Sequence, residues 1–385
     1  MRRFHENTTL HCGIVSLQSL LTLIHHYATT DEFSRLLTLS FSLVYSYLDD
    51  NNKKDQIDNM NIDLKLVSII PIVCGFSAPT YASDAYGPLR SYAQSPMQSN
   101  ALSNVLRSGA SMPEDTIEAY TSLTAASVWA ETDDYMLDYY HNQLEFGAKW
   151  QVDELWQWEI NYRWTFAADN HLDSLTQAFH DLFGIGQNGR DAVDKHRFYI
   201  SMPEYGIEVE DFAGETLSSG ISTYLQYQLY EDEQHALSLG GSLYYNGVNQ
   251  GPFKGHSFEQ GIQLNYSFYR QDHALYTMFG ITLRDKDLSL ADIPYRSETF
   301  AFAAGYRYAI NKRHHLLLEY HLYQGATEGP DDFTDPSNEM LLGYRYLLDN
   351  SAFEIMMIEN ARNMDNSTDI AFTFGYRYLF AQDGR

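Results

Sequence analysis

Residues 155–166 read Leu155-Trp156-Gln157-Trp158-Glu159-Ile160-Asn161-Tyr162-Arg163-Trp164-Thr165-Phe166. Trp156, Trp158, Ile160, Tyr162, Trp164 and Phe166 share one face of an extended chain. Gln157, Glu159, Asn161, Arg163 and Thr165 share the other. Period two means β-strand, because successive side chains point to opposite faces. Soluble strands usually stop after five or six residues. A strand of this length, aromatic on one side and charged on the other, suits a tilted crossing of a bilayer.

The pattern spreads outward from there. In 140–152, Tyr140, Leu144, Phe146, Ala148, Trp150 and Val152 oppose His141, Gln143, Glu145, Gly147, Lys149 and Gln151. Phe258, Ile262, Leu264, Tyr266 and Phe268 oppose Glu259, Gln263 and Asn265; Ile370, Phe372, Phe374, Tyr376, Tyr378 and Phe380 oppose Asp369, Thr373, Gly375 and Arg377. Twelve strands are expected near 121–131, 135–152, 155–166, 218–230, 235–245, 257–269, 273–284, 298–310, 314–324, 338–348, 352–360 and 368–380. Short and long connections alternate, apart from the short first one at 132–134. The even count places both termini on one side. A sheet in lipid must close, since an open edge would leave backbone groups unpaired in hydrocarbon. The expected fold is therefore all-β: a closed antiparallel transmembrane β-barrel over 121–380. A further strand pair within 198–209 makes fourteen or forms an external hairpin.

Composition agrees. Of 385 residues, 51 are acidic and 25 basic, a net charge of -26, which argues against a nucleic-acid partner. Hydrophobic content of 44% excludes disorder as the main state. The load of 30 tyrosines is partly explained by Gly305-Tyr306-Arg307-Tyr308, Gly343-Tyr344-Arg345-Tyr346 and Gly375-Tyr376-Arg377-Tyr378, each ending a strand near a turn. Tyrosines there would form an aromatic girdle at headgroup level.

Upstream, Met60, Lys65, the apolar run Leu66–Phe76 and the small-residue exit through Ala82 read as a signal peptide at 60–82. The run is too short to span a membrane as a helix. Residues 1–59 are expected to be a mis-called upstream extension or disordered, with Met60 the true start. A cut after Ala82 removes both cysteines, Cys12 and Cys74. Residues 83–120 carry Pro88, Pro96 and Pro113 without alternation, and are expected in the periplasm or in the lumen. A tail, 381–385, follows the last strand.

The chain resembles bacterial outer-membrane β-barrel proteins, the final strand Tyr376–Phe380 being similar to the C-terminal signal read by the outer-membrane assembly machinery. Gly87-Pro88-Leu89, and the stretch from Leu172-Asp173-Ser174 through Phe179-His180-Asp181 to Phe183-Gly184 and Arg190, resemble an exported family of unknown function. This resemblance covers most of 84–380. It implies a Gram-negative outer-membrane location after export, with bilayer, lipopolysaccharide and assembly machinery as partners, and it implies no activity.

Inside the barrel, Arg307, Arg345 and Arg377 are expected in one layer, with Glu319 and Glu354 on flanking strands. Lys149, Arg163, Glu145, Glu159 and Glu259 form a second inward group. Either set reads as a structural ion-pair network or as a ring attracting an anionic solute. Leu172, Leu175, Phe179 and Leu182 predict a short helix in the first long loop, bringing Asp173, His180 and Asp181 to constrict or cap the mouth.

No catalytic residue, cofactor or metal site is expected. There is no Gly-x-Ser-x-Gly, and His256-Ser257 sits at a loop start without the Asn-Gly neighbours seen in outer-membrane phospholipases. His314-His315 point to opposite faces, and the acidic runs at Asp285-Asp287 and Asp331-Asp332-Asp335 lack calcium-loop spacing. Three functions stay open: a narrow, porin-like channel or transporter for small solutes, a structural or surface-interaction barrel, and an outer-membrane lipid-modifying enzyme.

Overall fold

A computed structural model of the chain describes residues 86–183, 190, 193, 195–284, 293–329 and 332–380. The segment expected to be a signal peptide, the region before it, Asp285, Asp287, Asp331 and the tail lie outside the described residues. Thirteen-residue crossings, give or take three, dominate: β1 (Ile117–Glu131), β2 (Met136–Gln151), β3 (Trp156–Ala167), β6 (Thr216–Glu231), β7 (His235–Val248), β8 (Gly255–Arg270), β9 (His273–Leu283), β10 (Glu298–Ala309), β11 (His314–Tyr323), β12 (Ser337–Leu347), β13 (Ser351–Arg362) and β14 (Ile370–Phe380). Within the connection after β3 lie a helix, α1 (Asp173–Phe183), and two short strands, β4 (Tyr199–Met202) and β5 (Ile207–Glu210).

The twelve long strands pair antiparallel in chain order, and β1 pairs with both β2 and β14, so the ring is closed. β4 and β5 form the external hairpin, not two further crossings. Besides β5, β4 pairs with Met136–Asp138 at the start of β2, extending the wall above β3. One end of the barrel carries the short turns and the other the long loops.

Polarity is inverted relative to a soluble protein. Leu342 and Phe374 are 54% and 57% exposed, and Trp158, Ile160, Ile221, Ile262 and Phe300 also face outward. Glu118, Glu145, Glu259, Arg345 and Arg377 are buried, with Arg345 at 0% exposure. Only a hydrocarbon surround makes that arrangement favourable, because exposed greasy rings lose nothing there while charges need internal partners. The fold is thus a transmembrane barrel of the outer-membrane type. Leu342→Arg, in the middle of β12, should lower the unfolding free energy in lipid vesicles by about 2–4 kcal/mol, the cost of a cation at bilayer depth. No change in that measurement would mean that this face does not meet lipid.

The girdle tyrosines have partners that the repeat alone does not show. At the turn end, His235, His273 and His314 open β7, β9 and β11. Their Nδ1 atoms lie 2.8, 2.6 and 2.5 Å from the hydroxyls of Tyr266, Tyr306 and Tyr344 on the next strands. Tyr376 instead packs on Phe353, ring centres 4.9 Å apart.

One outward residue departs from expectation. Tyr140, placed by period two on the lipid face, is buried. Its phase is as expected, but the connection after β3 folds over the outside of β1 and β2. Asn142 Nδ2 donates to the Ala168 carbonyl at 2.6 Å, and Asn170 Nδ2 to the Ala126 carbonyl at 3.0 Å.

Candidate functional site

The lumen is filled by the chain's own N-terminal segment. Residues 86–94 run along the inner wall from the turn end. Residues 95–101 make a tight turn near the loop end, with Ser99 N–H donating to the Ser95 carbonyl at 2.8 Å. Residues 102–112 return to the rim where β1 begins. The result is a hairpin-shaped plug with both limbs leaving at the turn end.

An irregular segment inside a barrel has no ladder for its peptide groups, and buried ones must still be satisfied. The wall supplies the partners. Arg345 donates to the Gly87 carbonyl at 2.8 Å and to that of Pro88 at 3.1 Å; Arg377 also donates to Pro88, at 3.1 Å, and to Tyr86. Glu319 accepts the Leu89 N–H and Glu339 the Gln94 N–H, both at 2.7 Å. On the return limb, Glu259 accepts the Leu102 N–H at 3.0 Å, and Arg163 donates to the Ala101 carbonyl at 2.7 Å. Ser267 Oγ accepts the Gly109 N–H, and Gln228 donates to the Gly109 carbonyl, both at 2.8 Å.

Side chains add a clamp. Glu159 on β3 accepts from Arg90 at 3.1 Å and from Arg107 at 3.0 Å, so one carboxylate holds both limbs. Arg90 also meets Glu145 at 3.0 Å, and its guanidinium stacks on Tyr120, 3.6 Å from the ring centre. Small wall residues make the space. A Cβ at Gly280 would lie 2.5 Å from Asn104 Cγ, one at Gly305 2.8 Å from Leu106 Cδ2, and one at Gly343 2.5 Å from Leu89 Cδ1.

The inward groups expected from sequence divide as follows. Arg345, Glu354 and Arg377 meet directly: Arg345 to Glu354 is 2.6 Å and Arg377 to Glu354 3.2 Å. Glu118 completes this set, 2.6 Å from Arg377 and 2.8 Å from Lys149. Lys149 therefore belongs with the arginine layer rather than with Glu145 and Glu159. Glu319 pairs with His321 at 2.9 Å besides its contact with Leu89. Arg307 is buried and inward. Sequence reasoning missed Glu118, Arg90, Arg107 and Glu339. Glu118 lies on the inward phase of β1 and becomes visible once that strand starts at 117 rather than 121.

What space remains is small. Two cavities of about 10 Å³ flank the return limb, one beside Asn104 and Thr282, the other beside Arg107 and Arg163. Each has room for about one water. A third, of about 60 Å³, lies at the plug tip between Met97, Leu137, Tyr139, Ile200, Met202 and Ile293, and is apolar.

Of the first-loop residues, Asp173 lies outside this lumen. Asp173 is buried on the outer side of the wall, where Arg190 holds it at 2.5 Å and also reaches Asp369 and, at 2.5 Å, Ser127 Oγ. Tyr140 donates its hydroxyl to the same carboxylate. Ser127 and Tyr140 have the outward phase of β1 and β2, opposite to Glu145, so this cluster lies outside the pore. Asp181 is exposed, and the His180 side chain lies outside the described residues.

Burial alone would raise the Asp173 carboxyl; hydrogen bonds from Tyr140 and Arg190 outweigh it and hold the group below its usual value. A depressed folded value gives stability that is complete above the unfolded value, about 3.9, and is lost as pH falls through the folded one. Pepsin should therefore leave the 168–198 connection intact at pH 4 and nick it at still lower pH. In Asp173→Ala, nicking should already be several-fold faster at pH 4. Equal rates in the two chains would remove Asp173 as the anchor.

His256 and Ser257 form no catalytic pair. Ser257 is buried on the inward phase of β8, while His256 faces out, its Nδ1 3.1 Å from the Tyr245 hydroxyl.

Among solved structures, the chain is similar to the COG4313 outer membrane channel from Pseudomonas putida F1, at 10% identity over 70% of this chain and 97% of that one, with a TM-score of 0.46. It is similar to the KdgM porin in complex with disordered oligogalacturonate, at 9% identity over 69% and 99%, TM-score 0.39. A third similarity is to the Ralstonia pickettii toluene transporter TbuX, at 9% identity over 70% and 90%, TM-score 0.37. No curated protein matches the chain. Residues 64–380 match the family described as protein of unknown function (DUF3187), and the chain belongs to that family.

Proposed function

We propose that this protein is a narrow small-solute channel of the outer membrane, reached by signal-peptide export, and that its own hairpin plug keeps it shut. One observation carries the reading. The wall behind the plug is hydrophilic: Glu118, Glu145, Glu159, Glu259, Glu319, Glu339, Arg163, Arg345 and Arg377 are all buried against it. Withdrawal of the plug would leave a charged tube. Small barrels of about eight strands fill their interior with wall side chains, whereas twelve leave space that this chain fills with a separable segment.

The test is conductance in planar bilayers. Whole chain, a chain lacking 86–112 and Glu159→Ala should rank from closed, to permanently open, to flickering. Silence from all three, each migrating as a folded barrel on unheated gels, overturns the channel. It would favour the second reading, a barrel without transport, which the complete pairing of Glu118, Glu354, Arg345, Arg377 and Lys149 supports.

A further inference from the structure

Outside the pore, two distant parts of the same connection bring three metal-ligating groups together. Asp169 and His171 follow β3, and His196 comes just before β4. Asp169 Oδ2 lies 3.1 Å from His171 Nδ1 and 2.7 Å from His196 Nδ1. All three donor atoms fall within 4.8 Å of one another. The two imidazoles stand nearly perpendicular, ring centres 5.2 Å apart.

We infer that Asp169, His171 and His196 form a binding site for one divalent transition-metal ion of the zinc type. Two imidazoles and one carboxylate are the donor set that such ions prefer over calcium or magnesium, which take oxygen ligands. Bonds of about 2.0–2.2 Å in a tetrahedron separate neighbouring donors by about 3.3 Å. The two carboxylate–imidazole spacings, 3.1 and 2.7 Å, are close to that value, and the imidazole donors lie within 4.8 Å of each other, so side-chain rotation alone brings the set to it. The three side chains are solvent-accessible, which leaves the fourth position for water or an external ligand.

The donors are positioned by more than their own mutual contacts. Both histidines hold left-handed backbone, φ 58° at His171 and 66° at His196, which residues with a side chain adopt only when the surroundings impose it. The surroundings are the buried cluster beneath. His196 N–H donates to the Tyr140 hydroxyl at 3.1 Å and to Asp173 Oδ2 at 3.2 Å. Of the two flanking cations, Lys195 turns its ammonium to Ser174 Oγ at 3.2 Å and Arg197 stacks on Tyr199, 4.5 Å from the ring centre. A bound ion would tie residue 171 to residue 196. This site is independent of the lumen and of the channel reading.

Cobalt is the probe, because three nitrogen and oxygen ligands with one open position give Co²⁺ a visible ligand-field band. The folded whole chain in detergent, stripped by chelator, should take up one Co²⁺ with such a band, and Zn²⁺ should displace it. His171→Ala and His196→Ala should each weaken uptake roughly tenfold or more. Asp169→Asn serves as a third variant, and unheated gel migration confirms that all remain folded. Zn²⁺ should also slow trypsin cleavage after Lys195 in the parent and not in the variants. A parent without saturable Co²⁺ uptake overturns the site, as do unchanged affinity and band, or equal Zn²⁺ protection, in the variants.

Discussion

Gly109→Val is expected to leave a folded barrel whose plug no longer seats. A Cβ at 109 would lie 2.6 Å from the Ala236 carbonyl oxygen and 2.9 Å from that of Asn265. Both are ladder atoms of β7 and β8, and they cannot retreat without breaking strand pairing. The plug must give way instead, losing the bonds from Gly109 to Ser267 and Gln228. Overpacking of this kind costs about 1–3 kcal/mol, which converts to roughly 5- to 150-fold more unseated plug. Two readouts follow: more frequent conductance, and trypsin access to Arg107, which is tucked against Tyr224 with 3.9 Å to the ring centre. Should the valine chain stay silent and Arg107 stay protected, the plug is not held by that close approach.

Glu118→Ala should produce the largest loss of stability. The carboxylate is fully buried between Arg377 and Lys149, at 2.6 and 2.8 Å. Removing it leaves Lys149 without its ion-pair partner and Arg377 with Glu354 alone, at a cost of about 3–5 kcal/mol. The urea midpoint of the refolded barrel should fall accordingly. Adding Arg377→Met and Lys149→Met should recover much of the loss, because the penalty lies in the orphaned charges and not in the absence of the pair. A midpoint unmoved by Glu118→Ala would show that water reaches this layer.

The wall of this barrel was legible because a bilayer imposes a strict rule on every crossing residue. Trp156 through Phe166 had to alternate, and the observed β3 spans Trp156–Ala167. The inward phase of Arg345, Arg377 and Glu354 follows from the same rule, and so does the opposition of His256 to Ser257. The plug obeys no such rule. Its peptide groups are met by wall side chains from most of the ring, so no periodicity marks residues 86–112. Nothing in the spacing singles out Arg90 and Arg107, although one glutamate, Glu159, receives both. The placement of Asp173 is hidden for a related reason: a helical spacing says which residues share a face, but not which side of the wall the helix covers. The pairing of Asp169 and His171 with His196 spans a long connection, and sequence separation hides it.

The way the wall grips the plug has an evolutionary corollary. Arg345, Arg377, Glu319, Glu339, Glu259, Arg163 and Gln228 recognise amides and carbonyls rather than particular side chains. Any polypeptide of similar length and bulk presents the same groups at the same rise. The stopper is therefore freer to drift between species than its socket, with tight limits at Gly87, Leu89, Asn104, Leu106, Gly109 and the two arginines that share Glu159. A survey of relatives should find variable corks in a conserved bottleneck.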